Sequence, residues 1–237
     1  MRAHLTRWFP TTCILCAAST PRFNLCAACA RTLPRAHLSC TGCGLPIAHP
    51  GGPCRRCRVT PLPFGRVFSG FLFEAPVSDL IRQAKFSGSL TAAYALGELL
   101  ADQLALALAS SALEKVEALV PVPLHARRLR HRGFNQAQIV AQRVAKRLGT
   151  PLRPHWAARK RETVAQTGLS RAARKRNVLG AFWAKPVPGT HVAIIDDVMT
   201  TKKTTITLAG ALLGAGASRV DAWVVARAEA QRVESVN

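Results

Sequence analysis

Eight cysteines, all before residue 60, stand in four pairs of one spacing: CILC (Cys13, Cys16), CAAC (Cys26, Cys29), CTGC (Cys40, Cys43) and CRRC (Cys54, Cys57). Two residues between cysteines let a tight turn aim both sulfurs at one ion, and two such turns complete a tetrahedral thiolate shell. Eight ligands therefore predict two zinc ions. Gaps of nine residues between Cys16 and Cys26 and of ten between Cys43 and Cys54 suit two successive ribbons. An interleaved arrangement, in which the first and third pairs share an ion, satisfies the same spacing. An even count also permits disulfides, but no export signal accompanies it, and a reducing compartment turns such pairs to metal. A shell of four thiolates leaves no position for water or substrate, so both ions are expected to be structural. They would supply the folding free energy of a segment too short for a core of its own.

Cysteine never recurs after residue 60. There RVTPLPFGR (Arg58 to Arg66) places two prolines and a glycine in nine residues, the mark of a linker. The expected division is a double zinc-ribbon domain over residues 1–60 and a larger domain over 61–237. The chain is 49% hydrophobic and 19% charged, enough apolar surface to fold. Its 33 Lys and Arg against 12 Asp and Glu give a net charge of +21. Such a field draws polyanions: nucleic acid, an anionic membrane or a phosphorylated small molecule. A solvated basic surface is the plainer reading of the same charge, and of Arg55 and Arg56 in the last cysteine pair. MRAHLTRWFP at the start builds no apolar signal core. The apolar stretch from Ala92 to Leu113 carries Glu98, Asp102 and Gln103, which argues for a core helix and against a transmembrane segment. A cytoplasmic protein is expected.

Beyond the linker, strand-like and helix-like segments take turns. Strands are predicted at Val67 to Ala75, Val116 to Pro123, His191 to Asp197 and Arg219 to Ala226. Helices are predicted from Pro76 to Phe86, from Thr91, from Phe134 to Leu148 and from Thr204 to Gly216. A basic region runs from Pro151 to Arg176, and Val178 to Ala184 fits an extended or hairpin element. The unbroken apolar runs ALV and VAII fit strands covered on both faces, so the fold class is α/β, a doubly wound, mostly parallel sheet.

In such a sheet ligands bind beyond the carboxyl ends of the strands. The stretch VAIIDDVMTTKKTT (Val192 to Thr205) puts Asp196 and Asp197 at one such end, followed by hydroxyls and the start of a helix, whose free amides favour an anion. Acceptors for sugar hydroxyls or a hydrated metal thus stand beside donors for a phosphate. Taken singly, an Asp that ends a strand and a Thr that caps a helix are ordinary.

IIDDVMTT resembles the phosphoribosyl-diphosphate (PRPP) signature of type I phosphoribosyltransferases. IRQAKFSG (Ile81 to Gly88), VPVPLHARRLRHRGFNQAQ (Val120 to Gln138) and QTGLSRAARKRNVLGAF (Gln166 to Phe182) resemble one branch of that family, the ComF-type competence proteins, as does a double zinc ribbon ahead of the transferase-like domain. The resemblance implies that Asp196 and Asp197 bind the ribose hydroxyls of PRPP, with Mg2+ on the diphosphate side. It implies that Thr200, Thr201, Thr204 and Thr205 line the 5′-phosphate loop, and that Arg132 stands near the diphosphate loop at Val120 to Leu124. Lys85 is a weaker candidate. The family's loop continues TTG, whereas Lys202 and Lys203 follow here. A lysine held left-handed would cost on the order of 1 kcal/mol; its ammonium would replace part of the lost backbone contact or block the loop, and a plain helix start with both lysines in solvent is the alternative.

Two functions follow from the resemblance. One is transfer of a phosphoribosyl group from PRPP to an acceptor, with Arg153 to Arg176 closing as a lid. The other is handling of single-stranded DNA in natural transformation, with a helicase or uptake-channel proteins as partners. There Arg171, Arg174, Lys175 and Arg176 would track phosphates, and Trp156, Phe134 or Trp183 would stack bases or serve the core.

Overall fold

The computed structural model describes residues 11–20, 24–36, 38–48, 52–159 and 181–228. The initial MRAHLTRWFP and most of the expected lid, including Arg171, Arg174, Lys175 and Arg176, lie outside the described residues. The first ribbon contains β1 (Thr11–Thr12), β2 (Ser19–Thr20) and α1 (Ala27–Arg31); the second ends in α2 (Arg55–Val59). The larger part then runs β3 (Val67–Leu72), α3 (Val77–Phe86), α4 (Leu90–Ala109), β4 (Ala118–Pro121), α5 (Ala126–Arg132) and α6 (Gln136–Leu148). It continues with β5 (Ala157–Arg159), β6 (Phe182–Ala184), β7 (His191–Met199), α7 (Lys203–Gly214) and β8 (Arg219–Arg227).

Four strands form one parallel sheet in the order β3-β8-β7-β4. Alternation along β7 explains its unbroken apolar run. Ala193 and Ile195 join the cluster of α3, α4 and α6, which includes Leu80, Leu96 and Val140. Val192 and Ile194 join the opposite cluster with Leu208 and Leu212 of α7 and Phe182 of β6. A strand buried on both faces has no polar face to alternate with. The fold is thus the expected doubly wound α/β sheet.

Helix α4 has the length and composition to cross a membrane, yet half of that stretch is buried inside this protein. Its Glu98 pairs with Arg143 of α6, and its Asp102 Oδ1 lies 3.2 Å from Arg147 Nε. Gly97 permits the close approach of the two helices: a Cβ there would sit 2.8 Å from Arg143 Cγ and 3.1 Å from Val140 Cα.

The cysteine-rich segment and the sheet share one structure. The chain at Pro34 to Ala36 lies antiparallel along β3, with Leu72 N donating to Pro34 O (2.8 Å) and Ala36 N to Gly70 O (3.2 Å). The outer edge of β3 is thereby covered rather than left to pair with another chain. Cys13, Leu25 and Leu33 of the first ribbon belong to the same apolar cluster as Phe71 and Leu80.

Three sequence expectations need correction. The strand read as ending on Asp197 continues to Met199, so both carboxylates stand inside its last turn-ward residues. The strand from Val67 stops at Leu72 instead of Ala75. Between β4 and α6, where the sequence reading named no element, α5 forms: His125 Nδ1 accepts from Arg127 N at 3.3 Å, and Gly133 closes the helix at φ 77°.

Candidate functional site

The eight cysteines gather as two sets, Cys13, Cys16, Cys26 and Cys29, then Cys40, Cys43, Cys54 and Cys57. Successive pairing holds, and the interleaved alternative is excluded. Within each set the sulfurs lie within 4.8 Å of one another, and none is disulfide-bonded. A tetrahedron with ~2.3 Å zinc–sulfur bonds has edges of about 3.8 Å, and Cys16 and Cys26 Sγ stand 3.7 Å apart. Backbone donors favour thiolates: Cys54 N lies 3.1 Å from Cys40 Sγ and Cys29 N lies 3.4 Å from Cys26 Sγ. Burial pushes the Cys13 thiol up, but amides of Cys26, Cys16 and Leu15 outweigh it and hold it at about 6. Cys40 is held at about 7 in the same way, by amides of Cys54, Cys43 and Gly42 acting against burial. Each donor set fits one structural zinc ion.

The second candidate site lies at the carboxyl ends of β7 and β8. After Met199 the chain turns through Thr200 and Thr201, and Lys202 stands at φ 65°, ψ −8° just before α7. This left-handed residue occupies the position where glycine was expected. Its side chain makes no capping hydrogen bond. The first intrahelical bond runs from Ile206 N to Lys202 O at 2.8 Å. The amides of Thr204 and Thr205 precede it in the first turn, whose N–H groups have no partner within the helix. Asp196, Thr200, Thr201, Lys202, Thr204 and Thr205 line one recess of about 40 Å³, room for roughly three waters and of the order of one phosphate.

Asp196 and Asp197 face different partners. Asp197, 6% exposed, pairs with Lys85 Nζ at 2.9 Å, while its amide donates to Asp196 Oδ1 at 2.9 Å. Burial, then the Asp197 charge, pushes the Asp196 carboxyl up to about 7, against the pull of Lys85, the Asp197 amide and Arg159. Lys85 also lines an adjoining groove of about 400 Å³ with Phe86, Gly88, Arg128, His131 and Arg132. Burial lowers the Arg132 guanidinium, and the Asp197 charge opposes that shift. Arg132 and Lys85 are thus brought to the Asp197 side, apart from the recess at Asp196.

Side chains that motif reading had passed over hold this arrangement. Gln136, 3% exposed, donates through Nε2 to Ala84 O (3.0 Å) and so fastens the end of α3 to the start of α6. Asn135 Oδ1 accepts from Ala137 N (3.1 Å), and its Nδ2 reaches Val122 O (3.0 Å) beyond β4. The Gln136 bond is the one that ties GFNQ to AKF. Arg227, 3% exposed at the end of β8, is the other omission. Its Nη1 donates to Met199 O (2.6 Å), Thr200 O (2.7 Å) and Ala228 O, and its Nε to Cys43 O (2.8 Å). One guanidinium therefore clasps the second cysteine cluster to the hydroxyl-rich turn. Of the aromatics considered for stacking, Phe134 and Trp156 pack on the core and Trp183 is 42% exposed.

The double zinc ribbon domain family matches residues 4–58. DNA utilization protein YhgH of Salmonella typhimurium is 38% identical over 221 residues, spanning 92% of this chain and 97% of that protein. YhgH of Escherichia coli K12 is 36% identical over the same shares. Competence protein F of Haemophilus influenzae is 29% identical over 94% of this chain and 100% of that one. Among solved structures, glutamine PRPP amidotransferase from B. subtilis, complexed with ADP and GMP, matches 61% of this chain and 30% of its own at 21% identity and a TM-score of 0.42. A structure of the allosteric regulatory enzyme of purine biosynthesis matches 54% of this chain at 25% identity and a TM-score of 0.36; the chain spans 24% of its length.

Proposed function

Because the chain belongs to the ComF family, that of DNA utilization protein YhgH and competence protein F, we propose that it binds PRPP with Mg2+ and handles single-stranded DNA during DNA uptake. Its place of work is the cytoplasm, where reduced thiols suit both cysteine sites. The observation that carries the sugar-phosphate reading is the shared recess of Asp196, the hydroxyls of Thr200, Thr201, Thr204 and Thr205, and the opening of α7. Orphan amides and hydroxyls there would hold the 5′-phosphate. Asp196 and Asp197 would accept from the ribose hydroxyls. The donor set of carboxylates and hydroxyls suits a hard cation, and Mg2+, when bound, would neutralise the diphosphate. Lys85 and Arg132 are the cations on that side.

Calorimetric titration with PRPP and Mg2+ tests the reading. Wild type is expected to bind, and the Asp196→Asn, Asp197→Asn double variant is expected to lose binding while keeping its affinity for single-stranded DNA. A wild type that gives no heat overturns the sugar-phosphate reading.

A second reading, a DNA-binding scaffold that keeps the transferase shape without its ligand, is favoured by Lys202, whose Cβ stands in the loop where glycine would leave space. PRPP binding that emerges only in Lys202→Gly would support it. Release of diphosphate from PRPP in the presence of an acceptor would instead make the site a phosphoribosyltransferase.

A further inference from the structure

We propose that the groove between the end of α3 and helix α5 is the seat of one nucleotide of a single-stranded DNA, its base stacked on Phe86 and its flanking phosphates on Arg128 and His131. The inference rests on the DNA half of the function proposed above and assigns it a place.

Phe86 is 78% exposed, unusual for an aromatic ring that ends a well-packed helix. It lines a groove of about 400 Å³ whose other walls are Lys85, Gly88, Arg128, His131 and Arg132, with no carboxylate among them. The Arg132 guanidinium carbon sits 5.9 Å from the centre of the Phe86 ring. The ring therefore already serves as a platform for a flat, electron-poor group, and a base offers the same geometry.

Charge makes the groove selective for an anion. Helix α5 reads ARRLRHR, none of it buried, and the chain has no acidic residue between Glu117 and Glu162. On α6, by contrast, Arg143 pairs with Glu98 and Arg147 with Asp102. Among the described residues, Arg128, Arg130 and His131 form no ion pair. Carboxylates thus pair with arginines of α6, while Arg128, Arg130 and His131 of α5 have none, as a phosphate track requires. An aromatic face beside unpaired cations is how sequence-tolerant single-strand sites are built. A duplex, whose bases are already stacked, cannot use the ring.

The groove adjoins the sugar-phosphate site through Lys85, which reaches Asp197 at 2.9 Å. A strand in the groove would pass next to PRPP without occupying its phosphate recess.

The test is fluorescence anisotropy of the full zinc-loaded chain with a labelled oligothymidylate over a range of salt. Phe86→Ala, which removes no core contact at this exposure, is expected to weaken binding roughly 5- to 150-fold with the salt slope unchanged, and to leave duplex binding unaltered. Phe86→Trp is expected to bind at least as tightly as wild type. Arg128→Ala is expected to reduce the slope of log affinity against log salt by about 0.7. Strand affinity of Phe86→Ala within twofold of wild type overturns the assignment while leaving the proposed function in place. Displacement of the strand by polyglutamate equally from wild type and Phe86→Ala overturns it too, marking the groove as a mere polyanion surface. A wild type that binds no strand overturns the DNA reading and this site together.

Discussion

Replacing Lys202 by glycine should stabilise the protein. The residue holds φ 65° and ψ −8° at the entrance to α7, where a Cβ crowds the following carbonyl at a cost of about 1–2 kcal/mol. Glycine removes that cost but loses more chain entropy on folding, about 0.5–1 kcal/mol. The lysine side chain makes no capping bond that glycine would forfeit. The net expectation is about 0.5–1 kcal/mol of added stability, or roughly 1–4 °C in Tm for a chain of this size. Urea denaturation measures it as a higher midpoint at unchanged slope. Lys202→Ala is the control, since it keeps the Cβ and should give no comparable gain. If alanine and glycine shift the midpoint equally, the effect belongs to the lysine side chain and the strain argument fails.

Arg227→Met should cost about 3–5 kcal/mol, because the carbonyls of Cys43, Met199 and Thr200 lose a buried charged donor; zinc release to a chelator should accelerate as well, and a midpoint within 1 kcal/mol of wild type would show the clasp to be idle. Asp196 binds a proton more tightly in the folded chain, its carboxyl standing near 7 rather than 3.8. Between those values the folded state holds the extra proton, so this group's contribution to stability falls as pH rises, by at most about 1.4 kcal/mol per pH unit. Asp196→Asn should therefore gain on wild type from pH 4 to 7 and level off above, as read by urea midpoints; a gap that does not change with pH contradicts the shift. Asn135→Ala should cost about 1 kcal/mol or more, since it removes both the α6 cap and the bond to Val122 O; equal stability would mean that water replaces both.

How much of this the bare sequence disclosed depended on whether a feature was local. The run VAII announced a two-faced strand because burial on both sides removes alternation, and the order strand, Asp pair, hydroxyls, helix pointed to the candidate site. The cysteine spacing announced metal but left the pairing open, since gaps of nine and ten residues fit either scheme until the fold brings Cys16 beside Cys26. Helix α5 escaped notice because ARRLRHR has only two apolar residues, Ala126 and Leu129, too few to show a 3.6-residue period. Arg227 escaped because its partners lie 27, 28 and 184 residues away, and a lone arginine ending an apolar strand carries no signal of its own. Phe86 fell inside a predicted helix, and only packing reveals how exposed its ring is.

The central claim is that the Asp196–Thr205 recess grips a phosphorylated ribose. A crystal structure of the full chain with PRPP and Mg2+ tests it most directly. The account predicts a phosphate on the amides opening α7 and the hydroxyls of Thr200, Thr201 and Thr204, with ribose hydroxyls on Asp196 or Asp197. PRPP bound elsewhere, or a recess closed by Lys202 with the ligand absent, would contradict it.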